Sequence, residues 1–207
     1  MKHLCVQYGC GWSSADGWLN FDSSPTLRYE RLPVLGRLYQ KNARRFPENV
    51  RYGDIVRGLP IAPGSCAAIY CSHVLEHLSF AEFGTALQNT HSYLEPGGVF
   101  RLVLPDLEQL ARAYLADPAS DAAARFMQDS GLGKRDRPRG LRGHLVEWFG
   151  NSHHRWMWDE RSMREQLAAA GFREIRRAQF GDAEDRRFDA VEDPTRFEGC
   201  LAMQCRR

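Results

Sequence analysis

Short apolar runs of β type alternate with stretches of helical period along most of the chain, the pattern of an α/β fold built on a mostly parallel sheet. His3–Tyr8 reads as a first strand that runs straight into Gly9-Cys10-Gly11, and Trp18–Phe21 as a second, closed by Asp22-Ser23-Ser24-Pro25. Asn49–Tyr52 is a short third strand ending at Gly53-Asp54; Ala67–Ser72 is a fourth, and Val99–Leu104 a fifth that Pro105 ends. Between them, Thr26–Phe46 carries a helical pattern interrupted at Pro33 and Gly36. Ser79 is placed to cap a helix with Ala81, Phe83, Ala86 and Leu87 on one face and Pro96-Gly97-Gly98 as its stop. Leu107–Leu115 and Asp159–Ala170 are further helices, the second opened by an acidic turn and closed by Gly171. Arg173–Gln179 and Glu198–Cys205 complete a predicted seven-stranded, Rossmann-like sheet as an antiparallel pair, with helices on both faces.

Two stretches depart from the alternation. Only eight residues separate Gly11 from Asn20, fewer than the ~10–12 of a helical crossover, so the first crossover is predicted to be shortened to a loop. Residues 117–155 are rich in Gly, Arg and Asp with little apolar periodicity, and read as a segment inserted before the last helix of a single domain spanning 1–207.

Composition narrows the class. Apolar residues at 43% and charged residues at 26% exclude a disordered chain, a collagen-like repeat and a disulfide scaffold. Against 26 acidic residues stand 28 Lys and Arg, so the net charge of +2 provides no global field to recruit nucleic acid or a membrane surface. The basic residues concentrate instead in Lys134–Arg142, readable as a solvated loop or as a flap that meets an anionic acceptor. The longest apolar run is six residues, Cys66–Cys71, and Gln7, Gly9 and Gly11 interrupt the apolar start; the expectation is a soluble, cytoplasmic protein. The six cysteines never form a CxxC pair and sit mostly in strand-like segments, which points to buried free thiols.

Gly9-x-Gly11 directly after a strand lets the backbone approach a ligand closely, and Asp22 at the end of the next strand is placed to accept from the two hydroxyls of a ribose. No third glycine opens a helix, so the pattern disfavours a pyrophosphate held on a helix N-terminus and favours a cofactor with a ribose but no phosphate.

Six segments together resemble class I S-adenosylmethionine-dependent methyltransferases, in particular a small bacterial branch. They are LCVQYGCG, GWLNFDSSP, GDIVRGLPIAPGS, IYCSHVLEHL, YLEPGGVFRLVLPDLEQLARAY and HRWMWDERSMREQLAAAGF, in the family's order over most of residues 4–172. The resemblance implies that Gly9, Cys10 and Gly11 wrap the methionine part of S-adenosylmethionine and that Asp22 binds its ribose. Asp54 would accept from the adenine amino group with Ile55 packed on the ring, and Ser72 and His73 would border the methyl group. Gln7 stands where the family usually has an acid, and Ala67 replaces a common acid at the start of the fourth strand. Those departures leave a cofactor-binding regulator or partner subunit as the alternative to an O-methyltransferase of a small-molecule or glycan hydroxyl.

His73 is the candidate general base, because a hydroxyl acceptor must lose a proton and an imidazole titrates near neutrality. His73-x-x-Glu76-His77 also has metal-ligand spacing, with His144, His153 or His154 able to complete a set. It partly resembles the Glu-x-x-Glu-His metal site of some O-methyltransferases. The favoured expectation is that no metal is held and that Glu76 and His77 tie the helix start to neighbouring loops. Trp148, Phe149, His153, His154, Trp156 and Trp158 gather just before the last helix, as core edge or as a wall of the acceptor pocket. No aromatic-interleaved basic face accompanies them, so nucleic acid is not the expected partner. No motif speaks to oligomeric state.

Overall fold

The structure, a computed structural model, describes residues 3–33, 36, 44–134 and 153–207. A seven-stranded sheet runs in the order β3-β2-β1-β4-β5-β7-β6. Its strands are β1 (Leu4–Tyr8), β2 (Leu19–Asp22), β3 (Val50–Tyr52), β4 (Cys66–Ser72), β5 (Leu94–Pro105), β6 (Arg173–Arg177) and β7 (Cys200–Arg206). The first five are mutually parallel, and β7 lies antiparallel between β5 and β6. The helices are α1 (Pro25–Glu30), α2 (Phe80–Tyr93), α3 (Leu107–Ala116), α4 (Ala122–Asp129) and α5 (Glu160–Ala169) among the described residues. None is long and apolar enough to cross a membrane.

Strand alternation sends successive side chains to opposite faces. Val6 and Tyr8 of β1, Ile69 and Cys71 of β4, and Phe100, Leu102 and Leu104 of β5 face the larger core, covered by α2 and α5 through Phe83, Leu87, Met163 and Leu167. Cys5, Ala68, Tyr70, Val99 and Val103 point the other way. There the cover is 3-10 turns, Arg186–Ala190 supplying the fully buried Phe188, together with Ala15 and Trp18 from the shortened first crossover. All six cysteines are free thiols, five of them buried.

Local chemistry sets the helix starts. Ser79 and Glu82 form a reciprocal capping box on α2, and Asp159 does the same with Ser162 on α5. Pro96-Gly97-Gly98 stops α2 as predicted, yet it does not delay the strand. β5 begins at Leu94, and the register slip opposite Cys66 absorbs the turn. A Cβ on Gly98 would lie 2.9 Å from the Cys66 carbonyl oxygen, so only glycine lets the two strands close there. Helix α4 lies inside 117–155 and went unread because Ala122 is its one buried residue; its Phe126 pairs instead with Tyr114 of α3, at 5.5 Å between centroids. Of the helical pattern over Thr26–Phe46, α1 is its start; residues 34–35 and 37–43 lie outside the described set.

The second face carries a buried charge. Arg101 of β5 is 1% exposed and meets Glu192 at 2.6 Å, Asp182 at 2.9 Å and the Gln204 side-chain oxygen at 2.6 Å, with its guanidinium 5.6 Å from the Phe188 ring centre. Removing one partner of such a buried pair strands the other charge, which costs about 3–5 kcal/mol. Arg101→Met is therefore expected to lower the urea unfolding free energy by that amount, and adding Glu192→Gln to recover more than half of it.

Candidate active site

The strand order reverses between β1 and β4, so the chain leaves the carboxyl ends of these two neighbours in opposite directions and a crevice opens between them. A cavity of about 480 Å3 lies there, lined by Gly9, Asp22, Ser23, Ser24, Pro25, Asp54, Arg57, His73, Val74 and His77. Gly9, Asp22, Asp54 and His73 thus come together from four separate connections, as the sequence predicts. A smaller recess sharing Gly9 is lined by Cys10, Ser72, Tyr70 and Arg196 among others.

Gly9 and Gly11 both adopt left-handed backbone, at φ of 65° and 55°. A Cβ on Gly9 would meet Val74 at 2.1 Å, whereas one on Gly11 would enter open space. Asp22 is buried and accepts from the amides of Gly11 at 2.9 Å and Ser24 at 2.7 Å, so one carboxylate joins the glycine turn to the loop after β2. Two backbone donors leave lone pairs for a further hydroxyl. Asp54 accepts from the Val56 amide at 2.9 Å, with Arg57 3.6 Å away. Ile55 is packed into the core, 5% exposed, and does not line the cavity. Asn89 of α2 donates to the carbonyls of Ile55 and Val56, holding the loop that presents Asp54.

Gln7 does not face a ligand as a substitute acid. It is 3% exposed and its amide donates to the Ser13 carbonyl at 2.7 Å and to Asn20. Asn20 in turn donates to the carbonyls of Ala15 and Trp18. The pair fastens the shortened crossover by neutral hydrogen bonds.

His73 follows β4 with φ of 56°, a left-handed geometry uncommon outside glycine, while its amide still donates to the Val103 carbonyl at 2.8 Å. Its ring lies between Ser72 Oγ, 3.0 Å from Nδ1, and Cys200 Sγ, 3.5 Å from Nε2. Burial and the neighbouring Glu76 push the Cys200 thiol up to about 11, so it stays protonated beside Nε2. Burial, reinforced by Arg196, His154 and His77, pulls His73 down to about 4. The near-neutral titration on which the sequence argument for a base relied is therefore absent, and the ring is a neutral acceptor across the physiological range.

Behind His73, the turn Leu75–His77 carries Glu76, fully buried with no hydrogen-bond partner among the described residues for either carboxylate oxygen, and burial pushes it up to about 8. His77 Nδ1 donates to the His153 carbonyl at 3.1 Å, and His154 Nδ1 to the Ser130 carbonyl at 2.7 Å. The carbonyl of Glu76 accepts from the amides of Arg155 and Trp156, so Glu76 and His77 do tie this turn to the segment before α5. Of the aromatic group, Trp158 is core, stacked on Phe83 at 4.1 Å, and Trp156 is half-exposed against Phe80. His144, Trp148, Phe149 and the basic residues after Lys134 lie outside the described residues.

A methyltransferase domain model matches residues 8–176. The chain belongs to that family. Among solved structures, a S-adenosylmethionine-dependent methyltransferase from Archaeoglobus fulgidus covers 100% of this chain and 86% of its own at 13% identity and a TM-score of 0.53. One from Thermotoga maritima covers 100% and 83% at 12% identity and the same TM-score. PigF with S-adenosylhomocysteine also reaches 0.53, at 13% identity over 99% of this chain, which spans half of PigF's length. A search of curated proteins finds no match to the sequence. The fold is that of class I S-adenosylmethionine-dependent methyltransferases.

The His73 environment has a consequence for stability. The folded ring takes a proton only below about pH 4, whereas the unfolded one does so below 6.5, so unfolding binds a proton in between. Stability should rise with pH across that window, and His73→Gln should flatten the rise in denaturant midpoints measured from pH 4 to 7. An NMR titration that placed the His73 ring near 6.5 in the folded protein would refute the assigned state.

Proposed function

We propose that this chain is a S-adenosylmethionine-dependent O-methyltransferase acting on a hydroxyl of a small molecule or glycan. The observation that carries this reading is the meeting of an open glycine turn, two carboxylates and an uncharged imidazole in one cavity at the β1/β4 crevice. When bound, S-adenosylmethionine supplies an electrophilic methyl carbon. The protein's part is to hold and align, since an in-line displacement gains most from positioning. The residues fit that cofactor: Asp22 has lone pairs left for ribose hydroxyls, Asp54 a free carboxylate edge for an amino donor, and Gly11 room above its Cα. Cys10 and Ser72 line the adjoining recess, which Gln7 closes without presenting a charge.

His73 favours a hydroxyl acceptor. Its Nε2 lies beside a protonated thiol, a weak partner that an alcohol can displace, and its Nδ1 is held by Ser72. A neutral ring orients the hydroxyl and receives its proton late, after the methyl has begun to transfer.

Calorimetry with S-adenosylhomocysteine tests the cofactor site. Hydrogen bonds to a charged group are worth about 1.5–3 kcal/mol, so Asp22→Ala should bind about 10- to 100-fold more weakly. Equal binding by parent and variant would remove Asp22 from the site. Release of S-adenosylhomocysteine in the presence of hydroxyl acceptors would establish the enzyme. Cofactor binding without turnover on any acceptor class would favour a regulator, and turnover on amines alone would replace the O-methyl reading.

A further inference from the structure

Glu76, His77 and His154 present one ligand atom each within 4.8 Å of one another at the wall of the cavity. From this cluster we infer a divalent transition-metal site, of the two-histidine, one-carboxylate kind that suits zinc. The inference goes beyond the methyltransferase reading, since metal binding does not depend on it.

Three observations point to a cation. The first is the buried Glu76 carboxylate, whose two oxygens have no hydrogen-bond partner among the described residues. Leaving a buried acceptor unmade is costly, and a carboxylate more so than a neutral group. The second is the orientation of the rings. A backbone carbonyl can only accept, so His77 and His154 each donate through Nδ1, toward His153 and Ser130. Each ring then turns its Nε2 toward Glu76 Oε1, at 4.0 and 3.9 Å. These gaps are too long for hydrogen bonds, and the three ligand atoms lie within 4.8 Å of one another. The third is the support behind the rings. Metal-binding histidines characteristically donate their far nitrogen to a carbonyl or carboxylate, which fixes tautomer and orientation. Gly131, at φ of 67°, allows that support: a Cβ there would lie 2.5 Å from His154 Nδ1.

Imidazole nitrogens select borderline ions over magnesium or calcium, and two histidines with a glutamate leave positions open for an external ligand. Neighbouring donors on a tetrahedral zinc ion are ~3.3 Å apart, given bonds of about 2.0–2.1 Å. Binding therefore draws the three groups inward by about half an ångström or more from the separations seen here. His77 lines the same cavity as His73 and Asp54, so an ion held here would lie next to that cavity.

The test uses the full chain, stripped with a chelator and titrated with Zn2+ by calorimetry and with Co2+ by visible absorption. One ion per chain is expected, with nitrogen–oxygen d–d bands for Co2+ and much weaker binding of Mg2+. Glu76→Gln and His154→Gln should each lose more affinity than the ~10- to 100-fold typical of removing an outer partner. Gly131→Ala, which leaves all three ligands in place, should weaken binding within that smaller range. Circular dichroism and S-adenosylhomocysteine binding of the same variants separate a lost site from a lost fold. Absence of stoichiometric binding, tighter binding of Mg2+, or parental affinity in Glu76→Gln or His154→Gln would each overturn the site. Zn2+ binding by a chain that ignores S-adenosylhomocysteine would leave the site standing and remove the methyltransferase reading instead.

Discussion

The parallel pairing of β1 with β4 is the constraint on which the rest depends. Val6 pairs with Ile69 and Tyr8 with Cys71, which places Gly9 beside the residues that follow Ser72. Because the chain departs to β2 on one side and to β5 on the other, no connection covers the gap above that pair. Everything that faces the cavity arrives by a turn leaving a carboxyl strand end: the glycine turn from β1, Asp22 from β2, Asp54 from β3 and His73 from β4. The site is a consequence of topology before it is one of side-chain chemistry.

That pairing must be secured without a first crossover helix. A short loop cannot bring the apolar face of a helix, and Trp18 and Ala15 provide only part of the cover. Two polar devices supply the remainder. Gln7 and Asn20 cross-link β1, β2 and the loop through buried amides, and Arg101 gathers Glu192, Asp182 and Gln204 beneath the 3-10 turns of the same face. Gln7 then has a structural reason at a position where the family usually carries an acid. An amide can donate to the Ser13 carbonyl and a carboxylate cannot.

Much of this was legible in the sequence because parallel strands buried on both faces read as apolar runs, and glycine and proline punctuate them. All seven strands, the capping of α2 by Ser79, the looped first crossover and the antiparallel final pair follow from such local signals. The four cavity residues Gly9, Asp22, Asp54 and His73 follow from motif order. What was not legible depends on tertiary neighbours. Ile55 looks like a ring contact from its place beside Asp54, yet its side chain completes the core under α2. Helix α4 is short and buries only Ala122, inside a stretch whose Gly, Arg and Asp content reads as loop. The lowered titration of His73 arises from Arg196, His154 and His77, none of them its sequence neighbours, as well as from burial. Glu76 was visible as part of a spacing, but its lack of a hydrogen-bond partner among the described residues is a property of packing alone.

The two chemical features of the cavity answer one another. A hydroxyl must be oriented and must surrender a proton, and a ring pulled down to about 4 orients well but draws protons weakly. Raising that ring toward neutrality would require a nearby anion, and Glu76, three residues on, is itself pushed up to about 8 by burial and so carries little negative charge at neutral pH. A divalent ion held by Glu76, His77 and His154 would change this balance: it would keep Glu76 ionised and supply a Lewis acid beside the cavity. The demand on His73 would then fall to positioning, which its place between Ser72 and Cys200 provides. On this view the weak base and the unpartnered carboxylate are parts of one arrangement, and each accounts for what the other lacks.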